Sequence, residues 1–402
     1  MKAIAVLLVL TLPLAAGNWP VFRGPTHQGV SDETSLPVEF GPSKNHAWTT
    51  EIPGDSWSSP VVWGNRVFVT TATDEGRSCR LLALDLASGK LLWDQEITRQ
   101  ELKRKERKNS YATSTPATDG RAVYAVCGNG TFAAYDFSGK RLWINTEYPF
   151  YSQHGLGASP IVADGLVIMS RDASAESGDL KVGWQIPWEN SFLVALDARS
   201  GKERWRTGRG KSRIAHTTPN VREGRLYSSA GDVVQAYDLK TGRLLWTSPS
   251  QGEGVVPSPV FGGGLIFTVS GFEKPTIRAH RPDGTLAWEQ TRGVPMMSSL
   301  LWENGRLYAI TTAGILHCFD SKTGEPKWQG RLGGDHSASP ILAAGRLYFS
   351  SEQGEVTVVK AGDEFEVLAR NPLNDTIQAS PAASQGRLLI RTARKLHCFQ
   401  TR

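Results

Sequence analysis

Aromatic and titratable side chains recur a few residues ahead of regularly spaced prolines in this sequence. Trp57 and His216 each lie three residues before such a proline, and Met297 takes the same place in a copy where a leucine replaces the proline. Imidazole, indole and carboxylate groups that converge on one surface are typical of a ligand-binding site. The candidate ligand-binding residues are Trp57, Tyr111, His154, Trp184, Trp188, Arg213, His216, Glu253 and His336.

The histidines of this set raise the question of a metal site, because imidazole is a common zinc ligand. His154, His216 and His336 lie six, three and four residues ahead of their prolines. These unequal offsets favour a polar channel lining over a metal centre. The sequence also has no nucleophile elbow, HExxH helix, phosphate-binding loop or zinc-type cysteine spacing. We therefore expect no catalytic residue and no bound metal.

The prolines mark a repeat that must position these side chains. From Pro219 onward the repeat positions are 40, 41, 40 and 41 residues apart. Each copy contains four short runs of alternating apolar and polar residues separated by turn signals, as in Thr218–Trp246. Four strands per roughly 40-residue repeat predict a β-propeller blade. The eight repeat positions are Pro60, Pro116, Pro160, Pro219, Pro259, Leu300, Pro340 and Pro381.

The two ends of the repeat region complement each other. His46–Ile52 matches the fourth strand of a blade but follows no first three strands, and the last copy stops after its third strand, Lys395–Phe399. Pairing these segments would close a ring and remove its open edge. The sequence thus predicts an all-β, eight-bladed propeller of four-stranded antiparallel blades, closed by an N-terminal strand that completes the last blade.

Tryptophan recurs at one position of the fourth strand in seven copies. The seventh copy along the chain departs from the pattern and has Glu366–Leu368 there. Side chains locked to a repeat in this way are expected to pack blade on blade rather than to bind a ligand. The seven residues are Trp48, Trp93, Trp143, Trp205, Trp246, Trp288 and Trp328.

Asp-x-x-Ser/Thr-Gly turns that lead into a tryptophan strand, such as Asp85–Trp93 and Asp238–Trp246, resemble the PQQ-type propeller repeat. So do the lead-in Trp19–Pro25 and the motif Trp57-Ser-Ser-Pro. This family includes eight-bladed quinoprotein alcohol dehydrogenases and the non-enzymatic propeller lipoprotein of the outer-membrane β-barrel assembly machinery. The resemblance implies the fold over nearly the whole chain, whereas repeat motifs by themselves imply no activity.

The dehydrogenases of that family, as the resemblance implies, hold PQQ between two adjacent cysteines and a calcium ion bound by acidic and amide side chains. None of the four cysteines here is adjacent to another, and no Cys-x-x-Cys-His haem motif occurs. We therefore expect a non-catalytic binding or scaffold propeller without a cofactor. Two alternatives remain, a dehydrogenase that uses PQQ with calcium and a carbohydrate-binding propeller that uses Trp184 and Trp188 as stacking platforms.

The cysteines fall into two pairs. Cys318 and Cys398 take equal third-strand positions with a whole blade between them, so we expect small core residues. Cys79 and Cys127 lie near the turns between second and third strands of neighbouring blades. Stacked sheets lie about 10 Å apart, beyond disulfide reach unless the loops lean together. The sequence alone does not decide whether Cys79 and Cys127 form a disulfide.

Composition divides the chain into three segments. Residues 1–17 have one lysine, a short apolar run and a small-residue end, which predicts a cleaved signal peptide. Residues 18–45 are predicted to be an irregular lead-in, and residues 46–402 a single propeller domain. With no cysteine after the apolar run and no further stretch of transmembrane length, we expect a periplasmic or extracellular protein with no lipid anchor and no membrane span.

The net charge of +6 is concentrated in the run Arg99–Lys108. Such a run is either a solvated loop or a patch for nucleic acid or anionic lipid, and the lack of interleaved aromatic residues favours the loop. We expect no nucleic-acid partner. The expected partner is a protein, a saccharide or a small molecule, bound by a monomer or by a member of an envelope complex.

The loops between second and third strands and those between successive blades emerge on the same side of a propeller, which we call the funnel face. Two insertions, Thr98–Tyr111 and Arg171–Ser191, fall in loops of these kinds. Long loops on a rigid scaffold usually carry binding residues. We therefore expect the site on the funnel face.

Overall fold

The computed structural model describes residues 17–401, which form eight four-stranded antiparallel sheets arranged as the blades of a ring. The predicted fold class is confirmed. In this part of the chain the single helical element is a short 3-10 turn, Asp74–Gly76, and no helix reaches the length and apolarity needed to cross a bilayer. The predicted signal peptide lies outside the described residues, apart from Gly17.

Strands are numbered in chain order, and β1 is His46–Glu51. Blade one contains Val61–Trp63 (β2), Arg66–Thr73 (β3), Ser78–Asp85 (β4) and Leu91–Arg99 (β5). Blade two contains Ala117–Thr118 (β6), Val123–Val126 (β7), Phe132–Tyr135 (β8) and Arg141–Asn145 (β9). Blade three contains Ile161–Ala163 (β10), Leu166–Arg171 (β11), Phe192–Asp197 (β12) and Glu203–Gly208 (β13). Blade four contains Asn220–Arg222 (β14), Arg225–Ser229 (β15), Val233–Asp238 (β16) and Leu244–Pro249 (β17).

Blade five contains Val260–Gly262 (β18), Leu265–Val269 (β19), Ile277–His280 (β20) and Leu286–Gln290 (β21). Blade six contains Leu301–Glu303 (β22), Arg306–Ile310 (β23), Ile315–Asp320 (β24) and Pro326–Arg331 (β25). Blade seven contains Ile341–Ala343 (β26), Arg346–Ser350 (β27), Glu355–Lys360 (β28) and Val367–Pro372 (β29). Blade eight contains Ala382–Ser384 (β30), Arg387–Arg391 (β31) and Lys395–Gln400 (β32), with β1 as its fourth strand.

The ring closes as the sequence predicts. Strand β1 pairs antiparallel with β32, and the register places His46 opposite Phe399 and Glu51 opposite Lys395. A strand from the start of the repeat region therefore completes the last blade. Closure satisfies the backbone groups that an open ring would expose to other strands.

The repeat tryptophans join each blade to the next. Trp48 shows the arrangement: its indole N–H donates to the Leu86 carbonyl at 2.9 Å, and its ring covers Gly89 in the same turn. A Cβ at Gly89 would lie 2.5 Å from the ring, and the residue has φ +73°, so the turn requires glycine. The predicted packing role is confirmed. The seven donor–acceptor pairs are Trp48–Leu86, Trp93–Phe137, Trp143–Ala198, Trp205–Leu239, Trp246–Pro282, Trp288–Ser321 and Trp328–Gly362.

Blade seven uses the lead-in where the other blades use tryptophan. The register places Ala369 opposite Val358, so the position equivalent to tryptophan is Ala369, one residue beyond the Glu366–Leu368 segment expected from the sequence. The missing volume is supplied by Phe40, whose ring centroid lies 4.7 Å from that of Phe399. Asn371 holds this segment by accepting from the Phe40 N–H at 2.8 Å.

The lead-in also crosses the end of the channel opposite the funnel face. Trp19 pairs with Val62 of blade one, and Val30 pairs with Leu342 of blade seven, close to the turns that follow the first strands. Between them the buried Arg23 donates to the Leu300 carbonyl of blade six at 2.6 Å. The chain therefore spans the ring and closes its base.

A disulfide joins Cys79 of blade one to Cys127 of blade two, with 6.0 Å between the Cα atoms. Cys79 is the second residue of β4 and Cys127 directly follows β7, and this Cα–Cα distance is within the range of disulfides. The disulfide that the sequence alone could not decide is therefore present. Cys318 and Cys398 are unpaired and buried, as expected.

We predict that Trp48→Ala destabilises the protein by about 3–5 kcal/mol, because it empties the contact that closes the ring. The matched control is Leu244→Ala on an outer strand, where the side chain is 41% exposed and the expected change is within about 0.5 kcal/mol. Chemical denaturation monitored by circular dichroism measures both. Equal effects of the two substitutions would contradict the closing role of Trp48.

We predict that replacing both Cys79 and Cys127 by serine lowers the free energy of unfolding by about 2–4 kcal/mol, since the bridge closes a loop with a sequence separation of 48 residues. A reducing agent added to the wild type should give the same loss. It should leave the serine variant unchanged, because the two remaining cysteines are unpaired. Identical denaturation curves with and without reductant in the wild type would argue against the bridge.

Candidate functional site

A collar of eight hydroxyl residues surrounds the axial channel where the first strands begin. Within residues 17–401, seven backbone N–H groups of the collar donate to the hydroxyl of the next blade at 2.9–3.0 Å, and the ring is open between Thr218 and Ser258. All eight residues are buried. The collar residues are Ser59, Thr115, Ser159, Thr218, Ser258, Ser299, Ser339 and Ser380.

A cavity of about 460 Å³ occupies the channel at this collar. Phe22 of the lead-in lies against one end of it, and the charged insertion after blade one lies against the other. Most of the exposed wall is apolar, contributed by side chains such as Trp57, Val256, Phe272 and Met297. The volume and lining are those of a small-molecule pocket.

The insertion after blade one forms a strap, defined as residues 100–110, across the mouth of this cavity. Lys108 reaches blade seven, where its Nζ lies 3.1 Å from Glu352 Oε1. Asn109 reaches blade three and donates through its side-chain amide to the His154 carbonyl at 2.7 Å. The charged run Arg99–Lys108 is mostly exposed, as expected of a solvated loop. Through these contacts the strap also crosses the funnel face from blade three to blade seven.

The insertion of blade three, residues 172–190, leans toward blade four. Its base is held by Asp172, which forms a fully buried ion pair with Arg209. Farther along, Trp188 and Ser212 exchange backbone hydrogen bonds of 3.0 and 3.1 Å. Lys103 of the strap and Glu176 of this loop lie 2.7 Å apart, so the two insertions form one continuous rim.

Four of the predicted site residues line the cavity: Trp57, His154, His216 and Glu253. Met297, which shares a repeat position with Trp57 and His216, lines it as well. The two imidazole centroids are 6.0 Å apart. The three side chains at this repeat position, Trp57, His216 and Met297, therefore converge on one cavity.

The other five predicted residues do not line the cavity. Tyr111 donates to the Lys103 carbonyl and supports the strap, while Arg213 forms ion pairs with Asp232 and Glu273 at 2.9 and 2.7 Å. His336 is buried against the Gly333 carbonyl. The half-buried Trp184 and Trp188 belong to the blade-three insertion. Trp184 packs edge-on against His154 with centroids 5.7 Å apart.

Burial controls the charge of the cavity wall. It lowers the pKa of His216 to about 3, helped by the neighbouring His154, and it also lowers the pKa of His154. Both imidazoles are therefore neutral at pH 7. Burial and then the charge of Glu273 raise the pKa of Glu253, against a smaller lowering effect of the adjacent Trp184 indole. The positive charge of Arg213 also lowers the pKa of Glu253, but by less than burial raises it.

Several lining groups were not identified from the sequence. Phe22 and Phe272 come from the lead-in and from the second-to-third-strand loop of blade five, neither of which follows the repeat register. The collar did leave a signal, because serine or threonine precedes every repeat position, from Ser59 before Pro60 to Ser380 before Pro381. That pattern is as regular as the prolines themselves.

The sequence model of a known family, described as outer membrane protein assembly factor BamB, matches residues 56–181 and 189–399. These ranges contain nearly the whole propeller. The chain belongs to this family. The match includes the repeat tryptophans and the collar but leaves the part of the blade-three insertion that carries Trp184 and Trp188 between its two segments.

Relatives of known function are distant. The chain is 23% identical over 306 residues to the outer membrane protein assembly factor BamB of Yersinia pestis, covering 70% of this chain and 72% of that protein. It is 22% identical over 312 residues to tetrathionate hydrolase of Acidithiobacillus ferrooxidans, covering 76% of this chain. The chain spans only about half of that hydrolase, 51% of its length.

Solved structures share the fold at still lower identity. BamB of Moraxella catarrhalis superposes with a TM-score of 0.63 at 14% identity, over 88% of this chain and 99% of that one. A europium-containing methanol dehydrogenase superposes with a TM-score of 0.71 at 12% identity, over 96% and 98%. These similarities establish the propeller architecture. A function has to be inferred from the site, because one fold can carry many activities.

The cavity does not fit PQQ with calcium. PQQ carries three carboxyl groups, whereas the charged side chains on the wall are Glu106, Glu253 and Lys108, the last already paired with Glu352. Within residues 17–401 no group of three or more His, Cys, Asp or Glu side chains is arranged to hold a metal ion. The disulfide cysteines lie away from the wall.

We predict that the buried histidine pair makes the protein less stable in acid. The folded pKa of His216 lies near 3, below the ordinary value of 6.5, so between these values the unfolded chain binds a proton that the folded chain does not. The contribution of His216 to the free energy of unfolding is therefore fully present above about pH 6.5 and is lost as the pH falls toward 3. Between pH 7.5 and 5, His216→Gln should reduce this loss by up to about 2 kcal/mol.

Urea denaturation of wild type and variant at several pH values measures this slope. Above pH 7 the two proteins should show parallel pH dependences, which serves as the internal control. Parallel curves that continue down to pH 5 would show that His216 does not contribute.

Proposed function

We propose that this chain is a non-catalytic binding propeller of the bacterial cell envelope that holds a protein partner on the rim of its funnel face. The main support for this proposal is that the rim exposes large apolar side chains. Leu102 of the strap is 36% exposed, and Leu180 and Ile186 of the blade-three insertion are 45% and 43% exposed. Large apolar side chains that remain in water on long loops are typical of an interaction surface.

The two insertions are held together as one surface. The ion pair of Lys103 and Glu176 joins strap and blade-three loop close to these apolar side chains. The base of the loop is fixed by the buried pair of Asp172 and Arg209, and Arg209 also donates to the Ser228 hydroxyl of blade four at 2.7 Å. A rim positioned in this way loses little conformational entropy when a partner binds.

The family match supports an envelope setting, because the matching family and several relatives are named as outer membrane assembly factors. The disulfide between Cys79 and Cys127 supports a location outside the cytoplasm, where such bridges persist. Membership in an assembly complex of the envelope and export through the predicted signal peptide are parts of the same proposal.

The alternatives have less support. A dehydrogenase that uses PQQ with calcium is disfavoured by the acidic charge of the cavity. A carbohydrate site based on Trp184 and Trp188 is disfavoured by the packing of Trp184 on His154 and by the backbone pairing of Trp188 with Ser212, which leave both side chains half-buried.

We predict that the double variant Leu180→Glu with Ile186→Glu loses its envelope partner. Burying an unpaired carboxylate in an interface is costly, and interface positions of this kind contribute roughly 1–2 kcal/mol or more, which corresponds to a loss of about tenfold or more in recovery. The measurement is cross-linking in intact cells followed by affinity purification of the tagged chain.

The matched control is Leu244→Glu with Leu286→Glu, because these leucines are 41% and 45% exposed on outer strands away from the rim. Both double variants should unfold like the wild type, within about 1 kcal/mol. Loss of the partner from the outer-strand variant alone, or cytoplasmic fractionation of the wild type, would overturn the proposal.

A further inference from the structure

The cavity beneath the strap is a separate site from the rim, since its wall faces the channel axis. Its volume of about 460 Å³ lies in the range of small-molecule pockets. Lead-in and strap limit access at its two ends, through Phe22 and Asn109. An occupant would therefore be a small molecule enclosed by the channel, and the collar hydroxyls would surround it.

The wall offers an apolar and aromatic surface. Trp57 and Met297 project from equivalent repeat positions in two blades, and Phe272 projects from blade five. The ring of Phe272 lies beside Gly254, where an added Cβ would be in ordinary van der Waals contact with it at 3.5 Å. These side chains suit a ligand with an apolar body, and the ring faces also attract positive charge.

One carboxylate interrupts this surface. Glu253 lines the cavity next to Phe272, whose N–H donates to the Glu253 carbonyl at 3.1 Å. The nearest basic side chain, Arg213, is already bound to Asp232 and Glu273. Lys108 at the mouth is bound to Glu352, and the strap's Glu106 adds a second carboxylate. His154 and His216 are neutral.

We propose that this cavity binds a small organic cation, a molecule with an apolar or aromatic body and one basic nitrogen directed at Glu253. The nitrogen lies between the carboxylate and the face of Phe272, and the body fills the space along Trp57 and Met297. Ion pairing inside a partly desolvated cavity is stronger than in water, and an aromatic face adds to it. A neutral ligand gains neither contribution, and an anion is repelled.

The binding site can be tested with three probes of matched shape: 2-phenylethylamine, 2-phenylethanol and 3-phenylpropionate. Titration calorimetry on the full chain at pH 7 measures each affinity. We expect the amine to bind about tenfold more tightly than the alcohol, and the carboxylate to bind most weakly. Glu253→Gln should weaken the amine about tenfold and change the alcohol by less than about twofold.

Phe272→Leu is the second variant, and it should weaken the amine more than the alcohol because it removes the ring face while keeping an apolar side chain. Glu51→Gln, an exposed carboxylate on the closing strand, is the control and should leave all three affinities unchanged. Equal binding of the three probes, tightest binding of the carboxylate, no binding of any, or an amine preference that survives Glu253→Gln would each overturn the proposal. Partner recovery through the rim is measured separately, so either proposal can fail alone.

Discussion

The indole-to-turn contact between neighbouring blades is the interaction on which the rest of this structure depends. A single blade cannot bury both of its faces, so each sheet is stable only when its neighbour covers it. The tryptophan fills the outer part of that interface and its N–H fixes the register to a backbone carbonyl of the next turn. Because every blade depends on two others, the ring must close, and β1 supplies the closing strand.

A closed ring makes the channel wall rigid, and the collar increases that rigidity. Seven of the eight collar hydroxyls accept an N–H from the preceding blade, so backbone groups that would otherwise be unpaired at the channel are satisfied by neighbouring blades. Within the part of the chain that the structure describes, the collar is interrupted once, between Thr218 and Ser258, at the junction of blades four and five. His216 and Glu253 enter the cavity at the same junction. The interruption of the collar therefore lies beside two of the polar residues that line the cavity.

The charges near the cavity bear on which ligands its wall can accept. A pocket for a polyanionic cofactor needs basic side chains directed inward. Lys108, the basic side chain on the described wall, is instead paired with Glu352, and Arg213 is paired with Asp232 and Glu273. Glu253 remains among the residues that line the cavity. The same scaffold can thus present opposite electrostatic preferences, because the wall residues lie outside the repeat contacts that define the fold.

Repeat spacing in the sequence was sufficient to determine the blade count, the closing strand and the role of the tryptophans, because these features depend on contacts that recur at a fixed interval. It also brought Trp57, His216 and Met297 to one level of the channel. The strap, the lead-in that closes the base and the substitution of Phe40 for a tryptophan in blade seven were decided only by the tertiary structure. So were the bridge between Cys79 and Cys127 and the pairing of Arg213 away from the cavity. Each of these depends on where an irregular segment lies against distant blades, and no periodicity in the chain specifies that.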